Sequence, residues 1–157
     1  MKTRIFSLSL PGLLLAFFAL LLIPSGCNQA KVSSITGTWK LIAFEGNSND
    51  GSVNFKYPGN IEMFDQLFIY SDGYFVFSGR YKMASDSVFS NNYGGGSFTY
   101  DGDDYVETIM YFPNAGYIGK SLKYDLEIRG DTLIKIGPAD AGEDFWGTLR
   151  EVYIRNN

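Results

Sequence analysis

The chain of 157 residues carries 13 basic and 17 acidic side chains, a net charge of −4, and no histidine. That balance argues against the basic surface by which nucleic acid is held, and the missing histidine removes the usual general base and the commonest metal ligand. The single cysteine, Cys27, excludes an internal disulfide, while 17% aromatic residues and 18 glycines suit many short strands divided by turns.

Lys2 and Arg4 form a short basic start, residues 5–23 are almost wholly apolar, and Pro24-Ser25-Gly26-Cys27 follows. This order describes a secretory signal peptide over residues 1–26. The Ser-Gly-Cys exit resembles a bacterial lipoprotein signal, in which the cysteine carries lipid and becomes the mature N-terminus; Pro24 stands where that pattern usually has an aliphatic residue. The resemblance implies lipidation at Cys27, a polar tether over 27–34 and a membrane partner reached through the acyl chains. It places the protein in the cell envelope, on the periplasmic side of the outer membrane. An uncleaved apolar anchor of about 20 residues is the alternative. Because both signal charges are basic, the remainder holds 11 basic against 17 acidic residues, enough chain for one domain over 35–157.

Residues 36–44 read as the first strand and 45–60 as a polar loop. Residues 61–70 and 74–81 form a hairpin through Ser71-Asp72-Gly73. Residues 82–92 read either as a short strand around 87–89 or as a loop, and Tyr93-Gly94-Gly95-Gly96 as flexible punctuation. Residues 97–100 and 105–112 flank Asp101-Gly102-Asp103-Asp104, a solvated hairpin turn rather than a calcium loop. Residues 113–119 are a loop. Residues 122–128 alternate, with Leu122, Tyr124, Leu126 and Ile128 on one face. Residues 132–136 return after Arg129-Gly130-Asp131, 137–147 form a loop, and 149–155 close the chain. About eight to ten sequential strands, with no helical period, predict an all-β, up-and-down antiparallel barrel.

Gly37-Thr38-Trp39 resembles the Gly-x-Trp that opens the first strand of lipocalins. In that family the Trp plugs the closed end of the barrel, and an Arg near the end of the last strand covers its ring. Arg155 is the matching residue here, with Arg150 as the alternative. The likeness extends to the bacterial lipocalin-like domain families common in lipoproteins of Bacteroidetes. It is carried by GTWKLIAFE, GGGSFTYDGDDYVETIMYF, IGKSLKYDLEIRGDTLIKIGP and EVYIR, and spans nearly all of 36–155. Tyr153 departs from it, where the family often has Trp. The resemblance implies a calyx-like barrel with Gly37, Trp39 and Arg155 at its floor, and binding of a small apolar molecule.

Glu107 lies mid-strand on the face that alternation shares with Tyr105, Ile109 and Tyr111. Turned inward it needs a cationic partner, for which Arg80 and Lys120 are the candidates; turned outward it is an ordinary surface carboxylate. Phe75, Phe77 and Tyr81 share a face, and Tyr70, Tyr100 and Tyr124 lie on other strands. Such a set lines a cavity or fills a core. The candidate ligand residues are therefore Tyr70, Phe75, Phe77, Arg80, Tyr100, Tyr105, Glu107, Tyr111 and Tyr124. No catalytic, metal or cofactor site is expected. The functional expectation is a lipid-anchored carrier of a small hydrophobic molecule; the alternative is an interaction or scaffold module whose barrel is filled.

Overall fold

A computed structural model describes residues 35–139 and 146–157; the expected signal peptide over 1–26, Cys27 and the expected tether lie outside the described residues. Nine antiparallel strands follow in chain order: β1 (Gly37–Ser48), β2 (Asn54–Tyr57), β3 (Ile61–Ser71), β4 (Tyr74–Met83), β5 (Ser90–Tyr100), β6 (Tyr105–Tyr111), β7 (Ser121–Arg129), β8 (Thr132–Pro138) and β9 (Trp146–Arg155). From β3 onward each strand pairs with the next, and β1 pairs with both β3 and β9, which closes an eight-stranded up-and-down barrel. β2 is the extra strand. It pairs only with the far half of β1, from Phe44 to Asn47. Closure leaves no open edge among the eight.

The tight turns lie at one end and the long connections at the other. Asp72 and Gly73, Gly102 and Gly130 take positive φ in the turns after β3, β5 and β7. These turns sit beside the start of β1 and the end of β9, so this is the closed end. The β1–β2 segment, residues 84–89 and residues 112–120 gather at the open end.

Four expected boundaries change. The loop expected over 45–60 contains the second half of β1 and all of β2. The glycines 94–96 are interior residues of β5, each paired across to β4, rather than flexible punctuation. Of the two readings of 82–92 the loop holds at 84–89, and β5 starts at Ser90, earlier than the strand expected from 97. β8 runs to Pro138 and β9 begins at Trp146, which shortens the loop expected over 137–147.

Two of the four register shifts among the described strands decide which of the expected residues face inward. In β1, Leu41 pairs with Tyr153 and Ala43 with Val152, so Ile42 is the extra residue. Alternation then restarts and Phe44 turns inward beside Glu151. In β6, Ile109 pairs with Gly96 and Tyr111 with Gly95, so Met110 is extra. That shift sends Tyr111 outward, where it is 69% exposed. The expectation that Tyr111 shares the face of Tyr105 and Glu107 is overturned by this one inserted residue.

Aromatic rings fill the closed half. Phe68 stacks on Tyr70 at 4.7 Å and on Phe75 at 5.3 Å, and Tyr153 meets it edge-on at 5.8 Å. Phe98, Tyr105 and Leu133 complete the packing. Each fully buried ring or aliphatic side chain contributes roughly 1.5–3 kcal/mol.

Trp39 closes the floor. Its indole is fully buried and its Nε1 donates to the Ile35 carbonyl at 2.8 Å. Arg155 lies directly opposite Trp39 in the β1–β9 register. Its guanidinium covers the indole at 4.1 Å and donates to the Thr36 carbonyl at 2.9 Å. Gly37 has φ +128°, and a Cβ there would come within 2.9 Å of Arg155 Nη1. Glycine is therefore required twice over, by conformation and by the guanidinium. Arg150 registers opposite Glu45 and does not take part.

Candidate functional site in the barrel interior

Three strands supply a buried charge cluster halfway up the barrel. Glu107 comes from β6, Lys135 from β8 and Glu151 from β9. Lys135 Nζ donates to Glu107 Oε1 at 3.2 Å and lies 2.8 Å from Glu151 Oε2. The three side chains are only 4–9% exposed. Rings hold the ammonium on two sides, with Phe68 at 4.6 Å and Tyr124 at 4.7 Å to the ring centres.

The Tyr105 hydroxyl donates to Glu107 Oε1 at 2.6 Å and lies 3.0 Å from the Tyr70 hydroxyl. One hydroxyl has one proton, so with that proton committed to Glu107 the Tyr70 hydroxyl is the donor between the two phenols. On the other side, Asn92 Nδ2 donates to Gln66 Oε1 at 2.6 Å, and Gln66 Nε2 donates to the Tyr153 hydroxyl at 3.2 Å. The polar layer thus runs from β3 through β9 and back to β6. Its weak point is Glu151 Oε2. It is ion-paired with Lys135 but receives no hydrogen bond among the described residues.

Burial and pairing compete over the titrations. Desolvation raises the Glu107 carboxyl above its usual range, against the opposing pull of Lys135 and the Tyr105 hydrogen bond. Lys135 is pushed well above its usual range by Glu107 and Glu151, which outweigh the desolvation that would lower it. Burial raises the phenols of Tyr70, Tyr105, Tyr124 and Tyr153, all four of which stay neutral donors.

A cavity opens above this layer. Its inner chamber, about 170 Å³, is bounded by Gln66, Glu107, Lys135 and Glu151 below and by Phe68, Phe77, Phe112 and Tyr124 around the sides. An outer chamber of about 270 Å³ continues to the open end between Phe44, Phe55, Phe64 and Tyr81. Phe44, Asn92, Ala139 and Leu149 border both chambers. Gly94 faces inward here, and a Cβ would lie 2.7 Å from the Phe77 ring and 2.9 Å from that of Phe112. A further depression, about 480 Å³, is instead a shallow groove on the outer wall, between Tyr74, Val76, Tyr93 and Tyr111. A molecule there stays largely in water, so the interior cavity is the stronger candidate.

The expected site residues divide. Phe77, Glu107 and Tyr124 line the inner chamber. Tyr70, Phe75 and Tyr105 are buried beneath it in the packed half, and Tyr100 is half-buried against the Tyr105 ring. Arg80 is a correction. It pairs across to Asn91 on the outer face and covers the Phe89 ring at 4.6 Å, because alternation from Phe75, Phe77 and Tyr81 sends it outward. Lys120, beyond the end of β6, is not the partner of Glu107 either.

Lys135, Glu151, Gln66 and Asn92 are the residues that sequence reasoning missed. A signal for Lys135 existed. Counting back from the Arg129-Gly130-Asp131 turn pairs Leu126 with Lys135, and Leu126 belongs to the apolar face of β7. Among the described residues no group of three or more Cys, Asp or Glu could hold a metal ion. No protein-family model matches the chain, and no curated protein matches it in sequence.

Proposed function

We propose that this protein is a non-enzymatic, lipid-anchored member of the lipocalin-like proteins of the bacterial envelope, and that it binds a small, mostly apolar molecule in the barrel mouth. The observation that carries this reading is the two-chambered interior cavity, whose walls are aromatic and whose base is a compact polar layer. That composition suits a ligand site, in which apolar walls supply affinity and few polar groups fix orientation. The Trp39–Arg155 floor supports the family likeness on geometry. The Ser-Gly-Cys exit supports the anchor.

The test is native mass spectrometry of the protein purified from its envelope without denaturation, paired with uptake of a polarity-sensitive naphthalene dye. A bound adduct lost on solvent extraction, or saturable dye uptake abolished by Ile109→Trp, is the expected result. A bare mass with no dye uptake rejects the reading.

A second reading rests on a different observation. The closed half is solidly packed, and Tyr74, Val76, Tyr93 and Tyr111 leave an apolar groove on the outer wall. A scaffold module would use that groove and leave the interior empty. Tyr111→Glu then disrupts assembly without changing dye uptake.

A further inference from the structure

We infer that the interior site selects ligands whose apolar body ends in a hydrogen-bond-donating head, cationic or hydroxylic, and rejects carboxylates such as fatty acids. The inference rests on the binding reading above and narrows it. Three observations converge on it.

The base of the inner chamber has two carboxylates and one ammonium. With both carboxylates ionised the cluster carries one negative charge, and with Glu107 protonated it is neutral. In neither state is it positive. The ammonium is also enclosed. Lys135 Nζ has Glu107 at 3.2 Å, Glu151 at 2.8 Å and a ring on each of two sides, so an incoming anion would displace an existing partner. The open valence is an acceptor. Glu107 lines the chamber, and the hydrogen bonds it receives, from Tyr105 and Lys135, both fall on Oε1.

A hydrogen bond to a charged group is worth more than one between neutral groups, so a ligand head that donates to the Glu107 carboxylate gains over one that cannot. A carboxylate head would face Glu107 and Glu151 in a low-dielectric chamber, where like charges repel far more than in water. The walls favour a compact or aromatic body, because Phe68, Phe77, Phe112 and Tyr124 enclose the inner chamber.

The experiment is calorimetric titration of the unaltered protein at pH 7 with four probes of one body. They are 1-naphthylmethylammonium, 1-naphthylmethanol, 1-methylnaphthalene and 1-naphthoate. The expected order is ammonium tightest, alcohol next, then the hydrocarbon, with naphthoate weaker than the ammonium by at least roughly tenfold. Glu151→Gln, with its thermal midpoint checked first, narrows the gap between ammonium and naphthoate. Naphthoate binding as well as the ammonium overturns the head-group selection and leaves the cavity reading standing. Methylnaphthalene equalling the ammonium does the same, since the charged base would then add nothing to binding. If none of the four binds, the cavity reading falls and this inference with it.

Discussion

Lys135 and Glu151 are direct cross-strand partners on β8 and β9, and both point into the barrel, with Nζ 2.8 Å from Oε2. Opposite charges placed across a ladder usually decorate a surface and contribute little. Here the pair is buried and shares its ammonium with Glu107. Its effect is therefore asymmetric: intact, it is close to neutral for stability, but losing one member leaves charge stranded in the core.

Lys135→Met should thus destabilise the fold by about 3–5 kcal/mol in denaturant unfolding. Replacing the whole cluster, with Glu107→Gln and Glu151→Gln added, should bring stability back towards the unaltered protein or above it. A single substitution as harmless as the triple one would mean that the ammonium is not what holds the two carboxylates inside.

Arg155→Lys should cost about 1–2 kcal/mol. A lysine keeps the charge but loses the flat stacking on Trp39 and the fixed donation to Thr36. Trp fluorescence would register the lost cover at the same time, since Trp39 is one of only two tryptophans.

Gly94→Ala should destabilise by about 1–3 kcal/mol, because the new methyl overlaps the Phe77 and Phe112 rings. It should also weaken dye uptake, as those rings form the chamber wall. Gly51→Ala makes a control for placement, since no atom lies within 4 Å of its added Cβ, although its φ of +70° still strains the backbone. It should leave uptake unchanged.

Two carboxylates give pH effects of opposite sign. Glu107 is raised above 4.5 by burial, so its contribution is fully present below pH 4.5 and is lost as pH rises through its folded value. Glu107→Gln should therefore remove a fall in thermal midpoint seen on going from about pH 4.5 towards neutrality. Asp50 is held down to about 2 by donation from Ser48 and Ser52 in the β1–β2 turn. Its contribution is present above 3.8 and lost as pH falls through 2, so Asp50→Asn alters only the acid limb.

Much of the closed end was legible in advance. Asp-Gly and Gly-Asp turns demand positive φ, so the hairpins joining β3 to β4, β5 to β6 and β7 to β8 follow from local chemistry. The Trp39–Arg155 pairing is what the likeness to the lipocalin Gly-x-Trp implied, with Arg150 as the alternative. The candidate cavity was legible only in part. Phe77, Glu107 and Tyr124 were found because alternation is unbroken over the part of the strand that carries each of them. Arg80 and Tyr111 were misplaced. For Arg80 the alternation of its own strand already pointed outward, and for Tyr111 the extra residue Met110 reversed the face.

By itself, then, the sequence determined the up-and-down order of the barrel strands and the tight turns, because these depend on neighbours a few residues apart; the plugged floor was what the lipocalin resemblance implied. Only the tertiary structure decided what the barrel holds. Strand alternation has a period of two, so a single bulge at Ile42 or Met110 exchanges inside for outside, and no local propensity marks where it falls. A buried Lys135 is tolerable only when Glu107 and Glu151 arrive from two other strands, and that meeting exists only once the sheet has closed on itself.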